Sequence, residues 1–355
     1  MTVAEDQNVL ISADSHVMEP FDLWQKELPA EFREGAPKFS PPREGGGGEG
    51  GNKPGGFDPH ERLKEMAQDG VSAEVLYPTR AMRMFGLEDQ TLQEACFKVY
   101  NDWIINYCNI AGDRLLGIPA ISVYSIPNAI KELERCRDAG LRGAMIWQAP
   151  RPDLPLYHEH YNPFWEACQR MKMPVNLHIL TGFSYHQTTG GGGGHGSLGV
   201  EAYRNSVNNK MIDGAQGLFD VVMYGVLDRY PELKFVIVEN EIGWIPFLVQ
   251  QWDYYNHRFG KVNPLPMEHD PSFYVERQIY ATFFNDSVGA HLLSRWGQDN
   301  RMWSSDYPHG NSTWPNSRKV IERDLGYLPE DMKAKIVREN VAKLYDIKVP
   351  TLLSV

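Results

Sequence analysis

Residues 9–16, with the sequence VLISADSH, form a short apolar run that ends in an aspartate and a histidine. Seven further short apolar runs follow along the 355-residue chain, at 73–77, 115–119, 143–147, 174–177, 235–238, 278–281 and 301–304. Continuous apolar strands are typical of a parallel sheet that is buried on both faces. The runs therefore predict eight parallel strands, with longer segments between them.

The segments between the runs carry apolar residues three or four positions apart, which is the periodicity of helices. We predict helices at 89–113, 128–139, 163–171, 214–229, 244–258 and 330–346, with Asn162 as the cap of the third. Strands that alternate with helices form either a closed barrel or an open doubly wound sheet. The count of eight strands favours a (β/α)8 TIM barrel. No phosphate-binding glycine fingerprint follows the first strand, which also favours the barrel. The chain length fits a single such domain over 1–355.

Two glycine-rich segments interrupt this pattern, near 45–56 and near 190–196. The first predicts a long surface loop. The second directly follows the fifth strand, at the catalytic end of a barrel, where it is either a lid or a surface insertion.

Composition excludes several classes of function. The formal net charge is −11, and no block of Lys or Arg is present, so we expect no nucleic acid partner. No stretch has the apolar length of a signal peptide or of a membrane span, which predicts a soluble, cytoplasmic protein without a membrane partner. The four cysteines are widely scattered and fit no zinc or disulfide spacing. We expect them to be reduced packing residues.

Polar residues with metal-binding chemistry stand at the ends of three apolar runs. Asp14 and His16 are two positions apart in the first strand, so their side chains point to the same side. His178 ends the fifth strand, and Asp306 follows the eighth. All parallel strands of a barrel deliver their carboxyl ends to one mouth. Carboxylates and imidazoles together suit a borderline divalent cation, so the pattern predicts a metal site there.

Three longer motifs carry a family resemblance: ADSHxxEP at 13–20, FVIxExxIGWIP at 235–246 and SDYPHxxSTWP at 305–315. With the strand-five His178, they resemble the "amidohydrolase 2" branch of the amidohydrolase superfamily. That branch includes aminocarboxymuconate semialdehyde decarboxylase and γ-resorcylate decarboxylase. The resemblance implies a distorted (β/α)8 barrel, a homodimer and one Zn²⁺ or Mn²⁺ ion, with Fe²⁺ or a second ion as alternatives. It also implies that Asp14, His16, His178 and Asp306 are the metal ligands.

The chain departs from this family after strand six, where the decarboxylases generally carry a histidine and this sequence has Glu239. A glutamate next to a metal-activated water is suited to accept the proton of that water. An ion-paired strand-end carboxylate or a bridge to a second metal are the alternative interpretations of Glu239. We therefore expect a metal-dependent hydrolase, with Glu239 and Asp306 as catalytic residues, that attacks an amide, ester, thioester or lactone carbonyl.

Two other reactions suit the same metal site. The first is the non-oxidative decarboxylation of an aromatic or unsaturated carboxylic acid, and the second is the hydration of such an acid. In each case we expect a small-molecule substrate that is aromatic or bears a carboxylate. Glu19, Arg80 and His309 are the predicted substrate contacts, because Arg80 can pair with a carboxylate and His309 can also orient Asp306.

Overall fold

The structure is a computed structural model that describes residues 9–41, 53–183, 200, 204, 208 and 210–348. In this part of the chain, eight short parallel strands alternate with helices. The strands are β1 (Ile11–Val17), β2 (Ala73–Pro78), β3 (Leu115–Gly117), β4 (Ala144–Ile146), β5 (Val175–His178), β6 (Phe235–Val238), β7 (Ile279–Phe283) and β8 (Arg301–Trp303). Every residue of these strands is buried, as expected for a sheet covered on both faces.

Hydrogen bonds order the strands as β1-β2-β3 and β4-β5-β6-β7-β8. Backbone contacts connect these two sets on both sides. The amide of Met145 donates to the carbonyl of Pro119 over 2.9 Å, which joins β4 to the end of β3. The amide of Asp306 donates to the carbonyl of Asp14 over 3.0 Å, which joins the end of β8 to β1. The chain has the expected distorted (β/α)8 barrel fold.

Thirteen α-helices are present among the described residues. They are α1 (Leu23–Glu27), α2 (Pro59–Asp69), α3 (Gln90–Cys108), α4 (Ile126–Asp138), α5 (Asn162–Met171), α6 (Lys210–Met223), α7 (Val226–Arg229), α8 (Ile245–Phe259), α9 (Pro271–Gln278), α10 (Ser287–Leu292), α11 (Ser317–Leu325), α12 (Glu330–Ala334) and α13 (Asn340–Tyr345). None of the described helices is long and apolar enough to cross a membrane.

Local chemistry explains most helix boundaries. The carboxylate of Asp89 accepts hydrogen bonds from two amides of the first turn of α3, which is how an N-cap satisfies free donors. Gly225 adopts a positive φ of 68° and splits the predicted helix at 214–229 into α6 and α7. The prediction for Asn162 is wrong, because this residue lies inside α5 as its first residue and Tyr161 occupies the cap position without a side-chain bond.

The glycine-rich segment near 45–56 is described only from Lys53 onward, and residues 45–52 and 190–196 lie outside the described part of the chain. In the described portion, Pro54–Gly56 forms a 3-10 turn in which both glycines are buried. Pro54 is exposed and Lys53 is partly buried, so only the two glycines of this portion depart from the expected surface loop. A Cβ on Gly55 would lie 2.8 Å from the Cα of Arg62, so only glycine fits between the turn and α2.

All four cysteines are buried and form no disulfide. Burial raises the pKa of the Cys96 and Cys108 thiols to about 12, so both are protonated at neutral pH. The cysteines occupy packing positions on α3, α4 and α5, in agreement with the sequence prediction.

Candidate metal centre

The carboxyl ends of the strands bring the predicted ligands together. Asp14 and His16 lie on β1, His178 is the last residue of β5, Glu239 directly follows β6, and Asp306 lies three residues after β8. The relative exposures of Asp14, His16, His178 and Asp306 are all 0%, and that of Glu239 is 7%. The barrel geometry therefore produces a buried cluster of two imidazoles and three carboxylates.

The donor atoms of this cluster face one another across a small space. The Nε2 atom of His16 lies 3.6 Å from Oδ1 of Asp14, 3.7 Å from Oδ1 of Asp306 and 3.9 Å from Oε2 of Glu239. The Nε2 atom of His178 lies 3.8 Å from Oδ1 of Asp14 and 3.7 Å from Oε2 of Glu239. Ligand atoms that share an ion at about 2.1 Å are separated by roughly 3–3.5 Å, which is close to these distances.

The hydrogen bonds of the two histidines determine which nitrogen faces the cluster. Nδ1 of His16 lies 2.8 Å from the carbonyl of Pro78, and Nδ1 of His178 lies 2.9 Å from the carbonyl of Ile179. A carbonyl oxygen only accepts, so each Nδ1 carries the proton and donates it. In each neutral ring, Nε2 is then an unprotonated ligand atom that points into the cluster.

Burial sets the charge states of these groups. It lowers the pKa of His16 well below its ordinary value, and the nearby His309 and His178 lower it further, so His16 is neutral. Burial also acts to lower the pKa of His178, but the carboxylates of Asp14 and Glu239 outweigh it, and the net pKa is raised. Burial raises the pKa of Asp14, and it raises that of Asp306 to about 7.

The residues present fit a divalent cation. The two Nε2 atoms are only 3.2 Å apart, and two lone pairs at this distance repel unless a proton or a metal ion lies between them. Both carboxylate oxygens of Asp14 and Oδ2 of Asp306 are buried without a hydrogen bond to any described residue. Buried carboxylates are costly without a partner. Asp14, His16, His178 and Glu239 offer donor atoms that lie within 4.8 Å of one another, and so does a second group of His16, Asp306 and His309. The cluster is able to hold one metal ion.

Two of the carboxylates project from strained backbone. Glu239 has a φ of 60° and Asp306 a φ of 55°, in the left-handed region that costs a non-glycine residue about 1–3 kcal/mol. Hydrogen bonds hold both positions: the amide of Glu239 donates to Oγ1 of Thr282 over 2.8 Å, and the amide of Asp306 donates to Asp14. In this conformation, the carboxylates of both residues lie within 4 Å of Nε2 of His16.

His309 lies against the same cluster. Its Nδ1 lies 2.8 Å from Oδ1 of Asp306, and its ring centroid lies 4.2 Å from that of His16. On the other side of the ring, Nε2 lies 3.3 Å from Oγ1 of Thr79. His309 therefore connects Asp306 to Thr79, at the end of β2.

Glu19 and Arg80 form a separate contact next to Thr79. The carboxylate of Glu19 is fully buried and accepts hydrogen bonds from the amides of Thr79, Arg80 and Ala81, at 3.3, 2.9 and 2.9 Å. The guanidinium of Arg80 donates to the backbone carbonyl of Glu19. This arrangement favours a positioning role for Glu19 at the end of β2 over the expected substrate contact.

The sequence did not predict a role for Arg62, a buried arginine that contacts the backbone of His16. Nε of Arg62 donates to Oε2 of Glu74 over 2.5 Å, and Nη1 donates to the carbonyl of His16 over 2.7 Å. Its guanidinium also lies 4.4 Å from the ring centre of Tyr307. The one available signal was the position of Arg62 on the same face of α2 as Met66, four residues later, which is buried.

Lys53 was missed because it lies in a glycine-rich segment that resembled a surface loop. Its Nζ donates to the carbonyls of Pro308 and His309, over 2.7 and 3.0 Å. It thereby holds the loop that carries Asp306 and His309. No local pattern in the sequence indicates a contact between residues this far apart.

Comparisons with known proteins agree with this fold. A family model described as amidohydrolase matches residues 13–347. The γ-resorcylate decarboxylase of Rhizobium sp. (strain MTP-10005) is 24% identical over 304 residues, which cover 81% of this chain and 86% of that protein. The crystal structure of 5-carboxyvanillate decarboxylase from Sphingomonas paucimobilis has a TM-score of 0.71 at 22% identity and covers 96% of this chain and 99% of that chain.

A third similar protein contains a metal. The 5-carboxyvanillate decarboxylase of Novosphingobium aromaticivorans DSM 12444, complexed with manganese and 4-hydroxy-3-methoxy-5-nitrobenzoic acid, has a TM-score of 0.74 at 17% identity. The match covers 97% of this chain and 98% of that chain. That protein binds manganese, and the buried cluster of this chain is able to hold one metal ion, in agreement with the sequence prediction.

The expectation of hydrolysis is wrong. Proteins that resemble this chain over most of its length are decarboxylases, and Glu239 in place of a histidine was not a sufficient reason to expect a different reaction. The residue type at one strand end does not determine the reaction, because a site that holds a cation in a barrel supports several chemistries. With a matching family model over nearly its whole length and a buried cluster able to hold a metal ion, this chain is an enzyme of the amidohydrolase superfamily and belongs to the amidohydrolase family.

Proposed function

We propose that this protein is a metal-dependent, non-oxidative decarboxylase of a hydroxylated aromatic carboxylic acid. The observation that carries the proposal is the similarity along most of the chain to γ-resorcylate decarboxylases, together with the same fold in 5-carboxyvanillate decarboxylases. The buried cluster supports it, because it combines cation ligands with a hydrogen-bonded acid–base pair. We favour Mn²⁺ as the ion, because a structure of the same fold contains it.

The proposed ligands are His16 and His178 through Nε2, together with the carboxylates of Asp14 and Asp306. Glu239 completes the set or stabilises it electrostatically, since its Oε2 lies 3.7 Å from Nε2 of His178. When bound, the ion supplies a Lewis acid that neutralises the carboxylate and a neighbouring hydroxyl oxygen of the substrate. Both histidines are already held in the required tautomer by backbone carbonyls, so little reorganisation accompanies binding.

In the proposed reaction, the bond between the ring carbon and the carboxyl carbon breaks. Its electron pair stays on the ring carbon, CO₂ leaves, and a proton takes its place. The residues that deliver this proton are best sought in the Asp306–His309 pair, whose atoms lie 2.8 Å apart. The side chain of His309 is 11% exposed, so it connects the buried Asp306 to the surface and offers a path for the proton.

Thr79 and Arg80 belong to the same proposal. Thr79 lies within 3.3 Å of Nε2 of His309 and fixes the ring from its second nitrogen. We propose that Arg80, the next residue, contacts the carboxylate of the substrate as it enters, as the planar guanidinium is suited to do.

The test is a direct assay of the Mn²⁺-loaded protein with 2,6-dihydroxybenzoate and 5-carboxyvanillate. Loss of substrate is followed by absorbance and release of CO₂ by a coupled assay. The reaction in D₂O should place a single deuterium on the carbon that carried the carboxylate. Folded protein with a full complement of Mn²⁺ that releases no CO₂ from any member of a hydroxybenzoate panel would contradict the proposal.

Two aspartate variants form a matched pair for this assay. Asp306→Asn should lower kcat/KM at least about 100-fold, because it removes both a proposed ligand and the partner of His309. Asp220→Asn should leave it within about twofold. Asp220 is also buried, at 3% exposure, but its carboxylate bonds Gln216 and the amide of Leu156, away from the cluster. Equal activity in the two variants would show that Asp306 has no special role.

We also propose that the protein is a homodimer that associates through the outer face of α8. Four large side chains on this helix are exposed by 44–67%: Phe247, Tyr254, Tyr255 and Phe259. A group of exposed aromatic residues on one element is typical of an interaction site. Sedimentation velocity should show a dimer, and a Phe247→Glu, Tyr254→Glu double variant should be a monomer with unchanged circular dichroism. A wild-type monomer at micromolar concentration would refute this part.

A further inference from the structure

A cavity of about 350 Å³ opens on the opposite face of the barrel from the metal centre. Pro174 and Lys234, which directly precede β5 and β6, lie in its wall. The metal cluster begins at His178, four residues along β5, which corresponds to roughly 13 Å at the rise of a strand. The cavity is therefore separate from the catalytic mouth. Its size falls within the range of small-molecule sites, about 300–1,000 Å³.

The cavity carries a positive charge in a protein whose net charge is −11. Three lysines contribute to its lining, Lys172, Lys234 and Lys343, against a single acidic residue, Glu232. Burial lowers the pKa of Lys234, and the nearby Arg277 and Lys343 lower it further against the opposing effect of Glu232, so Lys234 is repelled by neighbouring cations. Nζ of Lys234 has one described protein contact, the carbonyl of Arg277 at 3.2 Å. An anion in the cavity would relieve this repulsion.

Tyr280 supplies a second, independent feature. It lines the cavity and is only 6% exposed, yet its hydroxyl has no hydrogen bond to any described residue. The hydroxyl is therefore available to donate a hydrogen bond to an acceptor bound in the cavity. An acceptor in the cavity would satisfy the hydroxyl of Tyr280.

Apart from Gln169, the remaining lining is apolar. Met173, Pro174 and Leu233 are buried, and Leu344 is partly buried. Inorganic anions would leave this surface in contact with water, whereas a ligand with an apolar body would cover it.

We propose that this cavity is a second ligand site, which binds a small carboxylate with an apolar ring or chain. The carboxylate accepts the hydrogen bond of Tyr280 and pairs with Lys234 and Lys343, and the apolar body packs on Met173 and Leu233. The proposal is independent of the reaction at the metal centre.

Benzoate is the probe for the test, and isothermal titration calorimetry of the metal-loaded protein is the measurement. Tyr280→Phe removes only the hydroxyl, and Lys234→Met only the charge, so neither should change the fold, the metal content or the activity. The control is Lys98→Met, because the side chain of Lys98 is 58% exposed on α3 and contacts Asp102. Any binding of benzoate at the metal centre is common to all four proteins.

The expected result is a benzoate site that Tyr280→Phe and Lys234→Met each weaken by about fivefold or more, as the loss of one hydrogen bond or charge predicts. Lys98→Met should leave it unchanged. Benzyl alcohol and acetate should both bind more weakly than benzoate, because the first lacks the charge and the second the apolar body. The proposal is overturned if both cavity variants bind benzoate as the wild type does, or if the only benzoate site detected is at the metal centre.

Discussion

Replacement of Arg62 by methionine tests how a buried arginine stabilises the fold and the strand that carries His16. The guanidinium is fully buried, pairs with Glu74 and donates to the carbonyl of His16. Methionine retains most of the apolar volume but removes the charge and every donor. Glu74, at 2% exposure, would then keep only the hydroxyl of Ser15, 3.3 Å from its Oε1.

The magnitude follows from the burial of both charges. Removal of one partner of a buried ion pair leaves the other charge uncompensated and costs about 3–5 kcal/mol. The free energy of unfolding of a domain is about 5–15 kcal/mol, so this single change removes a large share of it. The lost support for the backbone of His16 should also weaken Mn²⁺ binding, by about tenfold, as loss of an outer contact to a metal ligand typically does.

The measurement is urea-induced unfolding of the metal-free protein, followed by circular dichroism, with Mn²⁺ affinity determined separately by titration. The double variant Arg62→Met, Glu74→Leu should recover most of the lost stability, because it removes both charges and replaces the pair by apolar groups. Arg135→Met is the control. Its side chain is 36% exposed and pairs with Glu132, so its replacement should lower the free energy of unfolding by less than about 1 kcal/mol. A loss below about 1 kcal/mol in Arg62→Met, with an unchanged slope of the denaturant dependence, would refute the reasoning.

Three further predictions follow, two on the surroundings of the cluster and one on the buried cysteines. Gly55→Ala should lower the free energy of unfolding by about 1–3 kcal/mol in urea titrations. The added Cβ would lie 2.8 Å from the Cα of Arg62 and 2.9 Å from the hydroxyl of Tyr307. An unchanged free energy of unfolding would mean that the turn has room to shift. Lys53→Met should weaken Mn²⁺ binding about tenfold, because it removes the contacts to the loop after β8. Lys53→Arg keeps the charge and should retain most of the affinity. Equal losses of affinity in the two variants would exclude a role of the charge. The four buried cysteines should not react with a thiol reagent at pH 8 in the native protein, because burial raises the pKa of each thiol. All four should react in denaturant. Rapid reaction of a thiol in the native protein would contradict its burial.

The sequence by itself determined the strands and the residues at their ends. Apolar runs such as 235–238 predicted the strands closely, because the signal for a buried strand is local and complete within a few residues. The ends of these runs also indicated Asp14, His16, His178 and Asp306 as candidate metal ligands, since the parallel strands of a barrel deliver their carboxyl ends to one mouth. The same logic located Glu239, although its identity led to the wrong reaction.

The tertiary structure decided which atoms meet. The proton positions on His16 and His178 depend on carbonyls placed by the fold, and the contact of Lys53 with Pro308 joins residues 255 positions apart. The carboxylate of Glu19 accepts hydrogen bonds from the amides of Arg80 and Ala81. This contact depends on the fold, which places the loop after β1 next to the end of β2. These features depend on long-range packing and on hydrogen bonds between distant segments, and no periodicity in a short window of sequence records such a pairing.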